Sequence, residues 1–441
     1  MPSPEAFPPE TLPCILVILD GLGDRPHPDL GGRTPLEAAR TPYLDGLAGI
    51  GALGSVMVVG EGVAPESDAG VLSLLGYDPE KDSPGRGVLE AEGAGLSVRD
   101  GEVAFRFNFA TVDAGGRVVD QRVGRSLKTH EAQELARTLT QADLLQDLGI
   151  RARFHATVGH RGVLHLASVR REMLSPDVTN SDPFYEKLGG LGRAVAVVHP
   201  TPKEVRALSS SPEAERTARA VNRLLERVPP LLKGHPTNRD RAVRGALEAN
   251  HVLLRDAGTR PKGLATFREK HGLRGAAITE MPVERGIARI LGLTDIHVGP
   301  MGGDRKAALA HRAAQTRDAI RGHEFVYVHL KGPDEPGHDG DAIRKKDVIE
   351  ELDRDFFGPF LEGWDHSRIR LAVTADHATP CVLKGHSDDP VPLLLVGGED
   401  LHSSTTTVKF CERTATAGSL GVMRGRDLIP RLCRGPRGPR Q

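Results

Sequence analysis

Four short runs of this chain are apolar almost end to end: CILVILD (14–20), FVYVHL (325–330), IRLAVTAD (369–376) and VPLLLVGG (391–398). A strand with one face in water alternates apolar and polar residues. These runs do not alternate, so helices must cover both of their faces, as on a parallel sheet. Helix-like segments, DRKAALAHRAAQTRDAIRG (304–322) and KKDVIEELDRDFFGPFLEGW (345–364), supply that cover. The predicted class is α/β, a doubly wound sheet. The runs come from both ends of the chain, and the middle reads differently. GLSVRDGEVAFRFNFATVDAGGRVVDQRV (95–123) alternates about an AGG turn, while 130–145 and 211–232 read as helices. A chain of 441 residues is long enough for two or three domains. The expectation is one α/β domain formed by 1–85 and 280–441, interrupted by an inserted α+β domain over 86–279.

Composition narrows the partners. The net charge is −1, the pI is near 7.0 and aromatic residues make up 4%. This argues against a polyanion-binding surface and against base stacking, so nucleic acid is not an expected partner. No apolar run approaches the length of a membrane span, and MPSPEAFPPETLP (1–13) lacks the basic and apolar regions of a signal peptide. Cys14, Cys381, Cys411 and Cys433 are scattered without CxxC spacing. That fits a reducing cytoplasm rather than a disulfide scaffold or a cysteine zinc site. The basic end of CRGPRGPRQ (433–441) reads as a disordered tail over 434–441. Nothing in the sequence bears on oligomeric state.

In open α/β sheets, ligands bind beyond the carboxyl ends of the strands. Here those ends are charged. Asp20 closes the first run, followed by Gly21, and KGPDEPGHDGD (331–341) follows the second with Asp334 and His338 four apart. Asp376 and His377 close the third run, and His386 lies just before the fourth. Singly each is weak, because a strand-ending Asp is ordinarily a cap or turn residue. Together, three carboxylates and three imidazoles make a donor set for one or two divalent metals, with imidazole favouring a transition metal over Mg²⁺. Ser67, in GVAPESDAGVLSLLGYDP (62–79), stands at the start of a short helix. Periodicity alone makes it a cap. The same place offers helix-terminal amides to a phosphoryl group, and a metal beside the hydroxyl would ease its ionisation near neutral pH.

LDGLGDRP, APESDAGVLSLLGYDP, KGPDEPGHDGD, TADHATP and KGHSDDPVP, in this order, resemble the archaeal-type cofactor-independent phosphoglycerate mutases of the alkaline phosphatase superfamily. AFRFNFATVD (104–113), GRVVDQRVGR (116–125), GHRGVLHL (159–166), HVLLRDAG (251–258), RGIARILGL (285–293) and GSLGVMRGRDLIP (418–430) extend the resemblance over nearly the whole chain. The resemblance implies an alkaline-phosphatase-like domain with two divalent ions and an insert that clamps phosphoglycerate. Mn²⁺ is the first expectation, with Zn²⁺, Co²⁺ or Mg²⁺ as alternatives. It implies Asp334, His338 and His386 as ligands of one ion, and Asp20, Ser67, Asp376 and His377 as ligands of the other. Ser67 is then the nucleophile that takes the phosphoryl group from 3-phosphoglycerate and returns it to the 2-hydroxyl. Arg106, Arg122, Arg125, Arg255 and Arg285 lie in matching motifs and are candidates to hold carboxylate and phosphate, which suit the guanidinium fork. Lys331 could reach the site from its strand end.

The chain also departs from the pattern. The family typically reads TDPH where this chain reads SDPF (181–184), so Phe184 stands for a histidine. It reads RGAG where this chain reads RDAG (255–258), so Asp256 adds a negative charge beside Arg255. Glu66, Gly70 and Pro333 differ from the usual residues as well. Altered substrate-facing positions around intact ligands keep three alternatives to a mutase open. One is a phosphoryl- or phosphonyltransferase that uses phosphoglycerate as acceptor from a nucleotide-activated donor in secondary metabolism. The others are a phosphatase or phosphodiesterase, and a protein that binds metal or phosphoglycerate without turnover.

Overall fold

The computed structural model describes residues 12–188, 191–195, 197–401 and 408–433. Its strands, in chain order, are β1 (Cys14–Leu19), β2 (Ala52–Met57), β3 (Val103–Val112), β4 (Val118–Asp120), β5 (Ile150–Ala156), β6 (Arg161–Ser168), β7 (Tyr185–Leu188), β8 (Leu191–Ala194), β9 (His251–Gly258), β10 (Gly275–Thr279), β11 (Thr294–His297), β12 (Phe325–Leu330), β13 (Arg370–Thr374), β14 (Val391–Val396) and β15 (Val422–Arg424). The chain divides into two units, Met1–Lys81 with Ala265–Gln441, and Asp82–Leu264. Among the described residues no helix is long and apolar enough to cross a membrane. The tail expected over 434–441 lies outside the described residues.

The first unit is built on an eight-stranded sheet in the order β11-β10-β12-β1-β13-β14-β2-β15. Every residue of β1, β12, β13 and β14 is buried, as the unbroken apolar runs require. The five strands from β11 to β13 are parallel. The α/β reading therefore holds. One strand corrects it: VPLLLVGG, read as parallel, forms β14 and runs antiparallel to both β13 and β2. Two parallel neighbours need a crossover, usually helical, whereas 375–390 between β13 and β14 is loop. The chain therefore turns and comes back, which carries His386 to the carboxyl end of β13.

The boundary of the insert is also corrected. Gly275–Thr279, assigned to the insert by the 86–279 reading, is β10, and it pairs with β11 and β12 in the large sheet. GAAIT is shorter and smaller-sided than the four apolar runs, so its pattern hardly stands out from the preceding loop.

The second unit holds an antiparallel sheet in which β3 pairs with β4, β6 and β9, and β5 pairs with β6. β7 and β8 form a separate hairpin. Phe105, Phe107 and Phe109 alternate on one face of β3, into a core completed by Leu135 and Leu139 of the helix Thr129–Gln141 and by Val221, Leu224 and Val228 of the helix Pro212–Lys233. The second helix starts where its sequence says it should. The Ser211 hydroxyl accepts from Ala214 N–H and Pro212 takes the first helical position. The other face of β3 carries Arg106, placed directly across from Arg255 of β9.

Candidate active site

Five segments meet at one end of the large sheet. Asp20 follows β1, Lys331 and the short helix Asp334–Asp339 follow β12, Asp376 and His377 follow β13, and His386 precedes β14. β2 leads through 58–66 to the helix Ser67–Leu74. Two glycines allow the approach. At Gly21 (φ +63°) a Cβ would lie 2.9 Å from Asp334 Cα and 2.7 Å from Thr379 Oγ1, and at Gly70 a Cβ would lie 2.2 Å from the Asp376 carbonyl oxygen. Glu66 is the N-cap of the helix and Ser67 its first residue, so Ser67 does not spend its hydroxyl on capping. It is half-buried, and its Oγ lies 3.3 Å from His377 Nε2.

The donors form two triads, each with ligand atoms within 4.8 Å of one another: Asp334, His338 and His386, and Asp20, Asp376 and His377. In the first, Asp334 Oδ1 is 3.5 Å from His338 Nε2 and 3.4 Å from His386 Nε2. The two Nε2 atoms face each other at 3.1 Å. Each ring meets a backbone carbonyl at Nδ1, His386 at Pro65 O (2.8 Å) and His338 at Lys384 O (3.3 Å). A carbonyl only accepts, so each Nδ1 carries a proton and each Nε2 is the atom turned into the triad. In the second triad, His377 Nε2 is 3.4 Å from Asp20 Oδ1 and 3.4 Å from Asp376 Oδ2. Thr379 links the two: its hydroxyl donates to Asp334 Oδ1 (2.7 Å) and meets His377 Nδ1 at 3.0 Å. Asp20 Oδ1 and Asp376 Oδ2 are buried without a hydrogen-bond partner. Converging imidazole Nε2 atoms and carboxylate oxygens, two of the latter buried without a hydrogen bond, make a mixed nitrogen and oxygen donor set that fits divalent metals.

Beneath the second triad lies a buried ionic group absent from the sequence reading. His329 of β12 puts Nε2 3.3 Å from Asp376 Oδ2 and 3.6 Å from Asp20 Oδ1, and Nδ1 3.3 Å from Glu284 Oε1. Lys331, two residues on and so on the same strand face, puts Nζ 3.2 Å from Asp20 Oδ2 and 3.1 Å from Glu284 Oε1. Lys331 is thus engaged with a triad carboxylate. Burial disfavours charge on His329 and Lys331, but the surrounding carboxylates outweigh it and hold both above their ordinary values. Burial likewise opposes ionisation of Glu284, and Lys331 and His329 overcome it, bringing Glu284 down to about 2. The only signal for this group in the sequence is the polar alternation H-x-K closing an apolar strand.

Glu284→Gln should therefore destabilise the protein by about 3 kcal/mol or more, because an amide N–H₂ would face Lys331 and His329, leaving buried charge uncompensated. The sign with pH follows from the lowered value. Glu284 contributes stability above pH about 4.5 that is lost as pH falls toward 2. Thermal melts of the two proteins should differ by several degrees at pH 7 and converge toward pH 3. Equal melting at pH 7 would contradict the ionic role.

The five candidate arginines are distributed across both units. Arg285, in the first, pairs with Asp295 (3.1 Å), which Arg289 also approaches at 3.4 Å. In the second unit Arg106 pairs with Glu90 (2.9 Å) and Asp256 (3.1 Å), and Arg255 with Asp182 (2.8 Å) and Asp256 (3.5 Å). Arg122 and Arg125 have no ion-pair partner among the described residues. They flank a loop with left-handed backbone at Val123, Gly124 and Arg125 (φ 53°, 60° and 52°). For a β-branched valine that is strained by about 1–2 kcal/mol, a cost typical of functional loops. His160 reports their proximity. Burial first, then the charges of Arg161, Arg122, Arg125 and Arg255, push its imidazole down to about 4. Arg161 and His160 lie in GHRGVLHL but are not among the sequence candidates. Phe184 packs against the apolar cluster of Ala110, Val118 and Leu253.

A family model described as 2,3-bisphosphoglycerate-independent phosphoglycerate mutase matches residues 48–238. Proteins so named from Aeropyrum pernix and Methanopyrus kandleri are 43% and 39% identical, covering 95% and 94% of this chain and 98% and 94% of their own lengths. A solved cofactor-independent phosphoglycerate mutase from Thermoplasma acidophilum aligns at TM-score 0.63 and 31% identity, over 96% of this chain and 98% of that one. A solved Pyrococcus horikoshii protein aligns at TM-score 0.77 and 29% identity, over 96% of each chain. Likeness of this identity over almost the full length of both partners places the chain in the family of 2,3-bisphosphoglycerate-independent phosphoglycerate mutases.

Proposed function

We propose that this enzyme interconverts 3-phosphoglycerate and 2-phosphoglycerate by passing the phosphoryl group through Ser67. The observation that carries the reading is the half-buried Ser67 Oγ, free of capping duty and 3.3 Å from His377 Nε2, beside two nitrogen–oxygen triads. In the forward direction Ser67 Oγ gives up its proton and attacks phosphorus, and the bond to the 3-oxygen of glycerate breaks, that oxygen taking up a proton to become the 3-hydroxyl. Glycerate turns, its 2-hydroxyl gives up a proton and attacks the phosphoserine, and Oγ is released and regains a proton. Divalent ions held by Asp334, His338 and His386, and by Asp20, Asp376 and His377, would neutralise phosphoryl oxygens and lower the pKa of the Ser67 hydroxyl. With three imidazoles in the donor set, Mn²⁺ is the first ion to test, then Zn²⁺ and Co²⁺. Within the second unit Arg122, Arg125 and Arg161 are the proposed anion-binding groups, since Arg106 and Arg255 already face carboxylates. The purified protein with 3-phosphoglycerate and Mn²⁺ should show the ³¹P resonances of both isomers approaching a constant ratio. Release of inorganic phosphate alone would make it a phosphatase.

One observation favours a second reading, transfer from a nucleotide-activated donor onto phosphoglycerate. Asp256 lies near both Arg106 and Arg255 and so consumes positive charge that a substrate anion would use. It also sits at φ 55°, where glycine is at ease and aspartate is among the few tolerated side chains. For a mutase, Asp256→Gly should lower KM for 3-phosphoglycerate about three- to tenfold, by freeing a charge-assisted contact. An unchanged KM, with a new ³¹P product only when an activated donor is added, would favour transfer.

A further inference from the structure

A cavity of about 390 Å³ in the second unit is lined by Arg99, Arg151 and Arg153 together with Ser97, Glu102 and His165. Its construction follows from strand alternation. Arg151 and Arg153 occupy the exposed positions of β5, two residues apart on one face. The register sets buried His165 of β6 directly across from Arg153, and small Ala167 across from Arg151, which leaves the hollow. The 95–102 segment forms the opposite wall. Its Glu102 is already engaged, with Oε2 2.9 Å from His165 Nε2 and 2.9 Å from the Arg99 backbone N–H that it accepts.

Among the described residues none of these three guanidinium groups lies within 4.0 Å of a carboxylate oxygen. Some arginines of the same unit are matched, Arg241 with Glu131, Arg227 with Asp147 and Arg106 with Glu90, whereas among the described residues Arg122 and Arg125 are not. Three unmatched guanidinium groups around one hollow repel one another, and an anion would relieve that repulsion. The cavity shares no residue with the cluster of Arg122, Arg125, Arg161 and Arg255. Arg106 of β3 is tied to Glu90 within the helix Arg86–Gly93, whereas the cavity begins beyond that helix at Gly95.

We propose that this cavity binds a small phosphorylated anion, separately from the catalytic substrate. Bidentate guanidinium contacts suit phosphoryl oxygens, and the volume admits pyrophosphate or a phosphate ester of a few carbons. Arginine labelling by phenylglyoxal, read peptide by peptide on the full-length metal-loaded protein, tests it site by site. Saturating pyrophosphate or glycerol phosphate should slow modification of Arg99, Arg151 and Arg153 at least fivefold, and leave exposed Arg206 and Arg321 unchanged. Comparing these probes with inorganic phosphate and ATP distinguishes a metabolite site from a nucleotide site. The Arg151→Ser/Arg153→Ser variant, altered on an exposed strand face, should bind pyrophosphate about tenfold or more weakly at this site, the loss expected from charge-assisted hydrogen bonds. Unchanged labelling of all three arginines with every small anion would overturn the proposal. Protection by a single-stranded oligonucleotide alone would overturn it too.

Discussion

Ser67→Ala is expected to lower turnover of 3-phosphoglycerate by roughly 10⁴-fold or more, the scale seen when a covalent nucleophile is removed. The variant should fold and melt like the parent. Ser67 is the first residue of its helix and Glu66 the cap, so alanine there removes no capping bond and slightly favours the helix. It should also keep its metal content, because each triad retains its three side-chain donors. Activity loss with metal and melting temperature preserved isolates the hydroxyl as a reacting group. Ten per cent or more of parental turnover would sink the serine route. Loss of metal along with activity would instead make Ser67 a structural ligand.

Asp334→Asn should lower the metal content per chain, read by elemental analysis after gel filtration. Asp334 Oδ1 is the point on which His338, His386 and Thr379 converge, and asparagine keeps its shape and an acceptor for Thr379 while deleting the charge. Outer partners of metal ligands typically cost 10–100-fold in affinity, and a ligand carboxylate should cost more. Protons compete for the same site. Burial disfavours charge on His386, yet the hydrogen bond to Asp334 and the nearby carboxylates raise it to about 9. Burial likewise opposes ionisation of Asp334, and His386 brings it down to about 2. Metal uptake by the metal-free protein should therefore weaken as pH falls below about 9, where His386 must shed a proton to bind. In Asp334→Asn that pH dependence should shift downward, since the carboxylate holding the proton is gone. A stoichiometry unchanged from the parent would remove Asp334 from the metal site.

Much of the scaffold could be read from local pattern. Continuous apolar runs reflect strands covered on both faces, and their charged ends reflect where such sheets leave backbone and side chains open to ligands. Asp20, Ser67, Asp334, His338, Asp376, His377 and His386 were accordingly readable as candidates, and the fold brings all seven to one end of the sheet. His329 and Glu284 were not readable. A histidine inside FVYVHL looks like a core residue, and Glu284 looks like an ordinary first-turn acid that caps its own helix. Their pairing with Lys331, Asp20 and Asp376 joins residues far apart in the chain, and no periodicity records it.

The arginines show the same division. Motif position nominated Arg106 and Arg255 for anion binding, but whether a guanidinium can take an external anion depends on which acids fold beside it. Here Glu90, Asp182 and Asp256 do. The sequence by itself determined the fold class, the family and the types of donor at the strand ends, because strand burial and turn chemistry are written in neighbouring residues. Tertiary structure alone decided the rest. The antiparallel return of β14 brings His386 opposite His338, the carbonyls of Pro65 and Lys384 turn both Nε2 atoms inward, and buried ion pairs set which charges stay available. Those are through-space electrostatic choices, and only the packed chain makes them.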